Sequence, residues 1–177
     1  MITAPPASVA TAVADSVVDR AWRLLDTNHA AIDRADAKAG AVVAACGVSA
    51  AALVAVYSAH HADTAAISSA LLCAALALAS TSCAGLALLP RRMRSWQPDS
   101  LIYFDHVTRM TDSSVESYVQ SARSLFSDEE ALTTEITRQV WMTARLATVK
   151  YDWIDRAVIL LFGNLLALGL TALLLAA

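Results

Sequence analysis

The sequence has few charged residues for its length. Only 16% of its 177 residues are Asp, Glu, Lys or Arg, whereas a soluble domain typically carries about 25%, and 57% are hydrophobic. This composition argues against an ordinary soluble enzyme fold. It also excludes intrinsic disorder over most of the chain.

The low charge content is due to three long windows that contain no charged residue. Residues 39–62, 64–90 and 157–177 contain no Asp, Glu, Lys or Arg, so the remaining 105 residues hold all 29 charges, about 28% of their number. Each window is long enough to cross a bilayer, because about 20 helical residues span a hydrocarbon core of about 30 Å. We predict transmembrane helices at residues 40–59, 65–89 and 157–175.

The positions of the basic residues predict the orientation. All 13 either precede the first span or lie between the second and the third, which places these segments in the cytoplasm and the C-terminus outside the cell inner membrane. The predicted organisation is a cytoplasmic N-terminal helix (1–38), transmembrane helix 1 with the start of an external turn (39–62), transmembrane helix 2 (63–90), a cytoplasmic helical hairpin (91–156) and transmembrane helix 3 (157–177).

Helix breakers are absent from the charged segments that lead into spans one and three. Residues 8–39 and 128–162 contain neither Pro nor Gly. Residues at three- and four-residue steps form two helical stripes: Val9, Val13, Val17, Ala21, Leu24, Leu25, Asn28 and Ile32; and Leu132, Ile136, Val140, Thr143, Ala147, Tyr151, Ile154 and Val158. Ser127 and Glu130 fit a capping box at the start of the second stripe. The fold class is therefore all-α, with a cytoplasmic helical bundle continuous with spans one and three.

The sequence lacks the motifs of enzymes and of metal sites. No nucleophile elbow, phosphate-binding loop, zinc-ligand spacing or paired-carboxylate motif is present, so we expect no catalytic residues, metal or cofactor. The three cysteines lie inside predicted spans without a CxxC spacing. His60, His61 and Asp63 crowd one short turn and lack a third well-spaced ligand. A net charge of −3 with no basic stripe argues against nucleic-acid binding.

Small and polar residues in the spans indicate helix packing. Gly40/Ala44, Gly47/Ala51/Ala55 and Gly163/Ala167 have the four-residue spacing that lets helices approach closely in lipid, although an alanine-rich sequence also produces such spacings by composition. Asn164, inside span three, favours an interhelical hydrogen bond over a pore-lining role.

Several short segments together resemble a known family. They are residues 32–40 (Ile-Asp-Arg-Ala-Asp-Ala-Lys-Ala-Gly) directly before span one, the pair Tyr103 and Phe104, and the pair Lys150 and Tyr151 before span three. Over residues 20–177 the chain resembles the transmembrane effectors of Pycsar antiphage systems, in which a cyclase encoded alongside makes cyclic UMP or cyclic CMP on infection. The resemblance implies an effector that senses this nucleotide and impairs the inner membrane, causing abortive infection.

Candidate contacts for such a ligand follow from its chemistry. A cyclic pyrimidine nucleotide presents one negative phosphate and one flat base, which require cationic donors and an aromatic face. The candidates for the phosphate are Arg34, Lys38, Arg109 and Lys150, and those for stacking are Tyr103 and Tyr151. Asp36 either accepts a hydrogen bond from the base or ribose, or pairs with a neighbouring cation. Membrane lipid is a further expected partner of the juxtamembrane cations.

Two other functions are compatible with the same sequence. One is a structural or assembly module that organises a partner through its cytoplasmic helices. The other is a small channel subunit, with polar groups along a span face: Asn164, Ser68, Ser69, Ser80 and Thr81. Because three short spans enclose little lumen, membrane damage by this chain predicts a homo-oligomer.

Overall fold

The computed structural model of the protein describes residues 16–58, 64–89, 100–102 and 114–176. These residues form four α-helices and no strand: α1 (Val17–Ser58), α2 (Thr64–Leu88), α3 (Val115–Ser127) and α4 (Glu129–Ala176). Helices α1, α2 and α4 are long and apolar enough to cross a membrane. The predicted all-α class with three candidate spans is therefore confirmed.

Helix α1 begins at a reciprocal cap. The backbone N–H of Asp19 donates to Ser16 Oγ at 3.0 Å, and the backbone N–H of Ser16 donates to Asp19 Oδ2 at 3.2 Å. This arrangement satisfies donors that the first helical turn leaves unpaired, and it places an acid at the positive helix end. The part of the first stripe before residue 16 lies outside the described residues.

Asp128, and not Ser127, caps the start of helix α4, so the predicted cap at Ser127 is wrong. The backbone N–H of Ala131 donates to Asp128 Oδ1 at 3.0 Å. Asp128 has an extended backbone that separates α3 from α4, and Asp is as favourable at this position as Ser. Ser127 instead ends α3, where its hydroxyl donates to the carbonyl of Ser124 at 2.8 Å.

Two helices are much longer than a bilayer is thick. Helix α1 has 42 residues and α4 has 48, which correspond to lengths of about 63 Å and about 72 Å at 1.5 Å per residue. A hydrocarbon core of about 30 Å accommodates only their apolar C-terminal portions. Both helices therefore continue without interruption from the charged segment into the apolar span, as the absence of Pro and Gly predicts.

Helices α1 and α4 run parallel to each other. Asn28 Nδ2 donates to the carbonyl of Val140 at 3.1 Å, and Asn164 Nδ2 donates to Ser49 Oγ at 2.6 Å. The two contacts join residues 112 and 115 positions apart, so the offset is nearly constant along the pair. The charged portions of both helices consequently lie side by side, on the same side of the apolar portions.

Helix α2 runs antiparallel to this pair and packs against both members. Ser80 Oγ donates to the carbonyl of Ala157 at 2.7 Å, and Thr171 Oγ1 donates to Ser69 Oγ at 3.0 Å. Residue numbers on α2 therefore decrease as the numbers of their partners on α4 increase. The resulting membrane unit is a compact bundle of three helices that hydrogen bonds connect in its interior.

The buried seam between α1 and α4 follows a seven-residue repeat. Its members recur at steps of three and four residues, with one step of seven before Asn164: Ala35, Ala39, Val42, Cys46 and Ser49 on α1, and Ala147, Lys150, Ile154, Ala157 and Asn164 on α4. Such a repeat is the pattern of supercoiled helices. The predicted α4 stripe is partly wrong, because Tyr151 and Val158 are only half-buried while Lys150 and Ala157 occupy the seam.

Candidate ligand site at the membrane boundary

An ion pair joins α1 to α4 where their charged portions end. Lys150 Nζ contacts Asp36 Oδ1, and the Lys150 side chain is only 7% exposed whereas the Asp36 side chain is 40% exposed. Because the seam position of Lys150 removes its ammonium from water, the ammonium requires an anion. Asp36 supplies that anion from the partly exposed side of the pair.

A second contact between the same helices involves Tyr151. Its hydroxyl donates to the carbonyl of Ala31 at 3.4 Å, and Lys38 Nζ lies 5.1 Å from the centroid of its ring. This distance is within the range of a cation–π interaction. Tyr151 follows Lys150 in sequence, so the two contacts lie at one level of the bundle but on different faces of α4.

The structure thus brings together four of the predicted site residues: Asp36, Lys38, Lys150 and Tyr151. Arg34 is exposed on α1, one helical turn before Lys38, and therefore adds a further positive charge near the same flank. Tyr103 and Arg109 lie outside the described residues. These four residues form two contacting pairs at one level of the bundle, and together we name them the boundary site.

A close-packed apolar layer supports the boundary site on its membrane side. The cluster contains residues of all three spanning helices: Ala35, Ala39, Val42, Cys46, Ala84, Ala87, Ile154 and Ala157. Five of these eight are alanines, so the helix backbones approach closely. Trp153 packs against the cluster, with the Arg156 guanidinium 4.9 Å from its ring centroid. The boundary site therefore lies next to a close-packed layer, in which a small change of helix position causes steric clashes or voids.

Deeper in the bundle, Asn164 connects the three spanning helices. Its amide nitrogen donates to Ser49 Oγ at 2.6 Å, and its amide oxygen accepts from Cys73 Sγ at 3.0 Å. Asn164 is fully buried, and both partners are also buried. The amide therefore has the interhelical role that its position in span three favours.

The serines considered for a channel face are used locally or between helices. Ser69 accepts from Thr171, Ser80 donates to the carbonyl of Ala157, and Ser68 donates to the carbonyl of Ala65 at 2.8 Å. Because these hydroxyls already have hydrogen-bond partners, they do not form the row of free polar groups that a channel face would need. Within the described residues, Ser69 and Ser80 thus connect helices, whereas Ser68 is bonded within its own helix.

An open groove of about 490 Å³ lies between α1 and α2 within the spans. Its lining is almost entirely apolar and includes Val43, Gly47, Leu53, Ala74 and Leu78. An anionic ligand finds no cation among these residues, so the groove does not suit a phosphate. In the described part of the chain, no group of three His, Cys, Asp or Glu residues is arranged to hold a metal ion. His60, His61 and Asp63 lie outside it.

Comparison with known proteins identifies the family. Residues 20–177 match the family described as the Pycsar effector protein domain. The chain belongs to the Pycsar effector family. It is also 33% identical over 167 residues to a Pycsar effector protein of Propioniciclava tarda, an alignment that covers 88% of this chain and 80% of that protein. No solved structure matches the chain.

For this Pycsar effector, family membership and three apolar helices together indicate a membrane protein. The matched description names an effector and no catalysed reaction. The resemblance that residues 32–40 carry is therefore confirmed at the level of the family. The family match also includes α3 and the charged portion of α4, so it is not restricted to the apolar spans.

Sequence reasoning missed the partners of two functional groups. Nothing in the sequence distinguishes Ser49 and Cys73, the partners of Asn164, from the other small residues of the spans. For Asp36 the sequence predicts either a contact with the ligand or a pair with a neighbouring cation, and it does not identify Lys150 as that cation. An indication was available in the seven-residue repeat, which places Lys150 in the α4 seam together with Ile154 and Ala157.

Proposed function

We propose that this Pycsar effector senses a cyclic pyrimidine nucleotide, cyclic UMP or cyclic CMP, and responds by impairing the inner membrane in abortive infection. A partner cyclase encoded nearby supplies the nucleotide. The observation that carries the proposal is the boundary site, because it joins the two helices that continue directly into the membrane. Family membership supports the effector role.

The chemistry of the boundary site fits a small anion with an aromatic ring. Lys150 and Lys38 provide ammonium groups, Arg34 lies one turn from Lys38, and Tyr151 provides a half-buried ring. The phosphate of a cyclic mononucleotide carries one negative charge and accepts hydrogen bonds from such cations. Its base has a flat face that stacks on an aromatic side chain.

Signal transfer requires that the nucleotide bind one arrangement of the helices better than another. The boundary site is made by α1 and α4, so a ligand there changes the balance of contacts between them. Both helices are continuous, and the change therefore reaches the spans without passing through a flexible linker. The response of the membrane follows from altered tilt or altered association of the spanning helices.

The proposed arrangement in the cell follows from charge and from size. The charged portions of α1 and α4 face the cytoplasm, where the nucleotide is made, and the C-terminus faces outward. One chain contributes three short spans, which enclose little lumen. We therefore propose that a homo-oligomer produces the membrane damage.

Calorimetry on the full chain, purified in a phosphate-free maltoside detergent, tests the sensing step. We expect binding of cyclic UMP or cyclic CMP and no comparable binding of cyclic AMP. Lys150→Met removes a cation of the boundary site and is expected to weaken binding at least about tenfold, the usual effect of losing a charged hydrogen bond.

Arg123→Met is the matched control for this measurement. Arg123 is an exposed cation on α3, away from the boundary site, so its loss is expected to leave the affinity unchanged. Absence of binding of both pyrimidine nucleotides to the wild-type chain would contradict the proposed function. Equal weakening by both variants would contradict the assignment of the site to Lys150.

A further inference from the structure

We propose that Asp36 is an internal substitute for the ligand phosphate. In the unliganded protein the Asp36 carboxylate pairs with the ammonium of Lys150. A soluble phosphate monoanion displaces the carboxylate from this ammonium. This inference rests on the proposed function and specifies how the same site is regulated. It makes Asp36 a competitor of the ligand, whereas Lys150 is the group for which both compete.

The burial of Lys150 is the first step of the argument. Lys150 is 6% exposed and lies in the seam between α1 and α4. An ammonium group in such a position needs a counter-charge, because leaving it unpaired costs much more than the loss of a surface ion pair. A cyclic mononucleotide carries one negative charge, as Asp36 does. Exchange of one anion for the other therefore keeps the net charge of the site constant.

The unequal exposure of the two partners is the second step. Asp36 is 40% exposed at its side chain and can become hydrated with little movement, whereas the Lys150 side chain is 7% exposed and stays in the seam. A ligand approaching from water thus meets the carboxylate side of the pair first. The exchange needs rotation of the Asp36 side chain but no exposure of the buried lysine to bulk water.

The position of the pair gives the exchange a mechanical consequence. Asp36 belongs to α1 and Lys150 to α4, and they lie three and seven residues before the uncharged windows of these helices. Displacement of Asp36 removes an electrostatic contact that holds the helices together at this level. The contacts of Tyr151 with Ala31 and Lys38 are made by a different face of α4, so they do not replace it.

Replacement of Asp36 distinguishes a competitor of the phosphate from a ligand contact, because the two roles predict opposite changes in nucleotide affinity. If Asp36 accepted a hydrogen bond from the base or ribose, Asp36→Asn would weaken nucleotide binding. If Asp36 competes with the phosphate, the same variant strengthens binding, because the amide cannot neutralise Lys150. We expect the affinity for the pyrimidine nucleotide to rise about tenfold, the effect of removing one charge-assisted contact from the unliganded state.

Asp33→Asn is the matched control. Asp33 is an exposed carboxylate on α1, three residues before Asp36, so its replacement changes the net charge equally without touching Lys150. We expect its affinity to stay within about twofold of the wild type, as for a screened surface charge. Calorimetry with cyclic UMP, cyclic CMP and the corresponding nucleosides, which lack phosphate, completes the comparison. Unchanged or weaker nucleotide binding by Asp36→Asn would overturn the inference.

A second measurement needs no variant and thus does not depend on the stability of Asp36→Asn. A carbodiimide activates a carboxylate, and a lysine amine in contact with it displaces the activating group as a urea and forms an amide bond. Mass spectrometry of the treated wild-type protein is expected to find Asp36 joined to Lys150. Saturating pyrimidine nucleotide is expected to reduce this cross-link at least about fivefold, in line with near-complete occupancy of the site.

The outcomes distinguish the inference from the proposed function. If the wild type binds no pyrimidine nucleotide, the proposed function fails. If it binds one and the cross-link persists, the nucleotide is sensed elsewhere and the inference alone fails. Phosphatidylglycerol added to the maltoside solution tests the other source of phosphate. Loss of the cross-link with this lipid, together with no loss with nucleotide, would assign the site to lipid headgroups and overturn the inference.

Discussion

At the scale of single residues, buried polar side chains in the described part of the chain connect helices to one another. Asn164 contacts Ser49 of α1 and Cys73 of α2 from its position on α4. Such a group has few alternatives in lipid, where an unpaired amide is costly. The same principle applies at the boundary, where Lys150 depends on Asp36.

Asn164→Ala tests the contribution of the amide. The change removes the donor to Ser49 Oγ and the side-chain acceptor of Cys73, whose thiol keeps only the backbone carbonyl of residue 164 at 3.6 Å, and it also creates a small cavity. We expect a loss of about 1–3 kcal/mol in the free energy of unfolding. Thermal unfolding in detergent measures the effect, with Leu166→Ala as the control because Leu166 is 76% exposed. An equal loss in both variants would contradict the packing role of Asn164.

The unequal burial of the boundary ion pair predicts an order of stabilities. Asp36→Asn leaves a buried ammonium unpaired, whereas Lys150→Met places an apolar side chain in an apolar seam and leaves a half-exposed carboxylate. We therefore expect Asp36→Asn to be less stable than Lys150→Met by about 1–3 kcal/mol. Unfolding of both single variants and the double variant in one detergent measures the order. The reverse order would contradict the burial of Lys150.

At the scale of helices, continuity is the feature that relates the two halves of the molecule. Helices α1 and α4 cross from the charged portion to the apolar portion within a single element, and a nearly constant register keeps them parallel. Their seam alternates small and large side chains, as in the buried Ala39 and Ile154 at equivalent levels of the two helices. A shift of one helix therefore requires the other to repack.

An exchange of sizes in the seam tests this register. Ala39→Leu alone overpacks the layer and is expected to cost about 1–3 kcal/mol, and Ile154→Ala alone leaves a cavity worth about 2–5 kcal/mol. The double variant restores the volume, so its loss is expected to be smaller than the sum by at least about 1 kcal/mol. Thermal unfolding provides the comparison, and Ala37→Leu on the exposed face is the control. Strict additivity would show that the two residues are not in one layer.

The sequence predicts the helices better than the faces on which they pack. The lack of Pro and Gly in residues 8–39 and 128–162 predicts two unbroken helices, and α1 and α4 confirm it where the structure describes them. The seam is harder to predict, because small and charged residues occupy it. Ala157 and Lys150 carry a weaker hydrophobic signal than Val158 and Tyr151, although the former are buried.

The candidate site shows the same limit. Asp36, Lys38, Lys150 and Tyr151 are predicted as a group because each lies directly before a span, and the parallel arrangement of α1 and α4 brings them together. The choice of partners depends on the rotation of each helix about its axis. A rotation of about 100° separates adjacent residues, so Lys150 meets Asp36 while Tyr151 meets Lys38.

At the scale of the whole molecule, the three spanning helices of one chain form a packed unit, and the proposed activity requires several chains. An added Cβ at Gly163 would lie 3.5 Å from the Leu76 side chain, an ordinary van der Waals distance, so packing within the chain does not require glycine there. An added Cβ at Gly47 or Gly169 would meet nothing within 4 Å. Internal packing therefore does not account for Gly47, which belongs to the small-residue spacing of span one.

Gly47→Leu tests the proposed homo-oligomer. A large side chain at this exposed position is expected to leave the unfolding temperature of the protomer nearly unchanged but to weaken self-association at least about tenfold, because it separates closely approaching helices. Gly169→Leu, an exposed glycine on α4, is the control. Analytical ultracentrifugation in detergent measures both. Oligomers that persist in Gly47→Leu would contradict the use of this α1 face for association.

The most direct test of the account is dye release from liposomes that contain the purified full-length protein. We predict that cyclic UMP or cyclic CMP releases the dye at nucleotide concentrations that saturate binding, that cyclic AMP does not, and that Lys150→Met lowers the response. Wild-type protein that binds the nucleotide yet releases no dye at saturation, in liposomes where the protein is correctly inserted, would contradict the proposed coupling of the boundary site to the membrane.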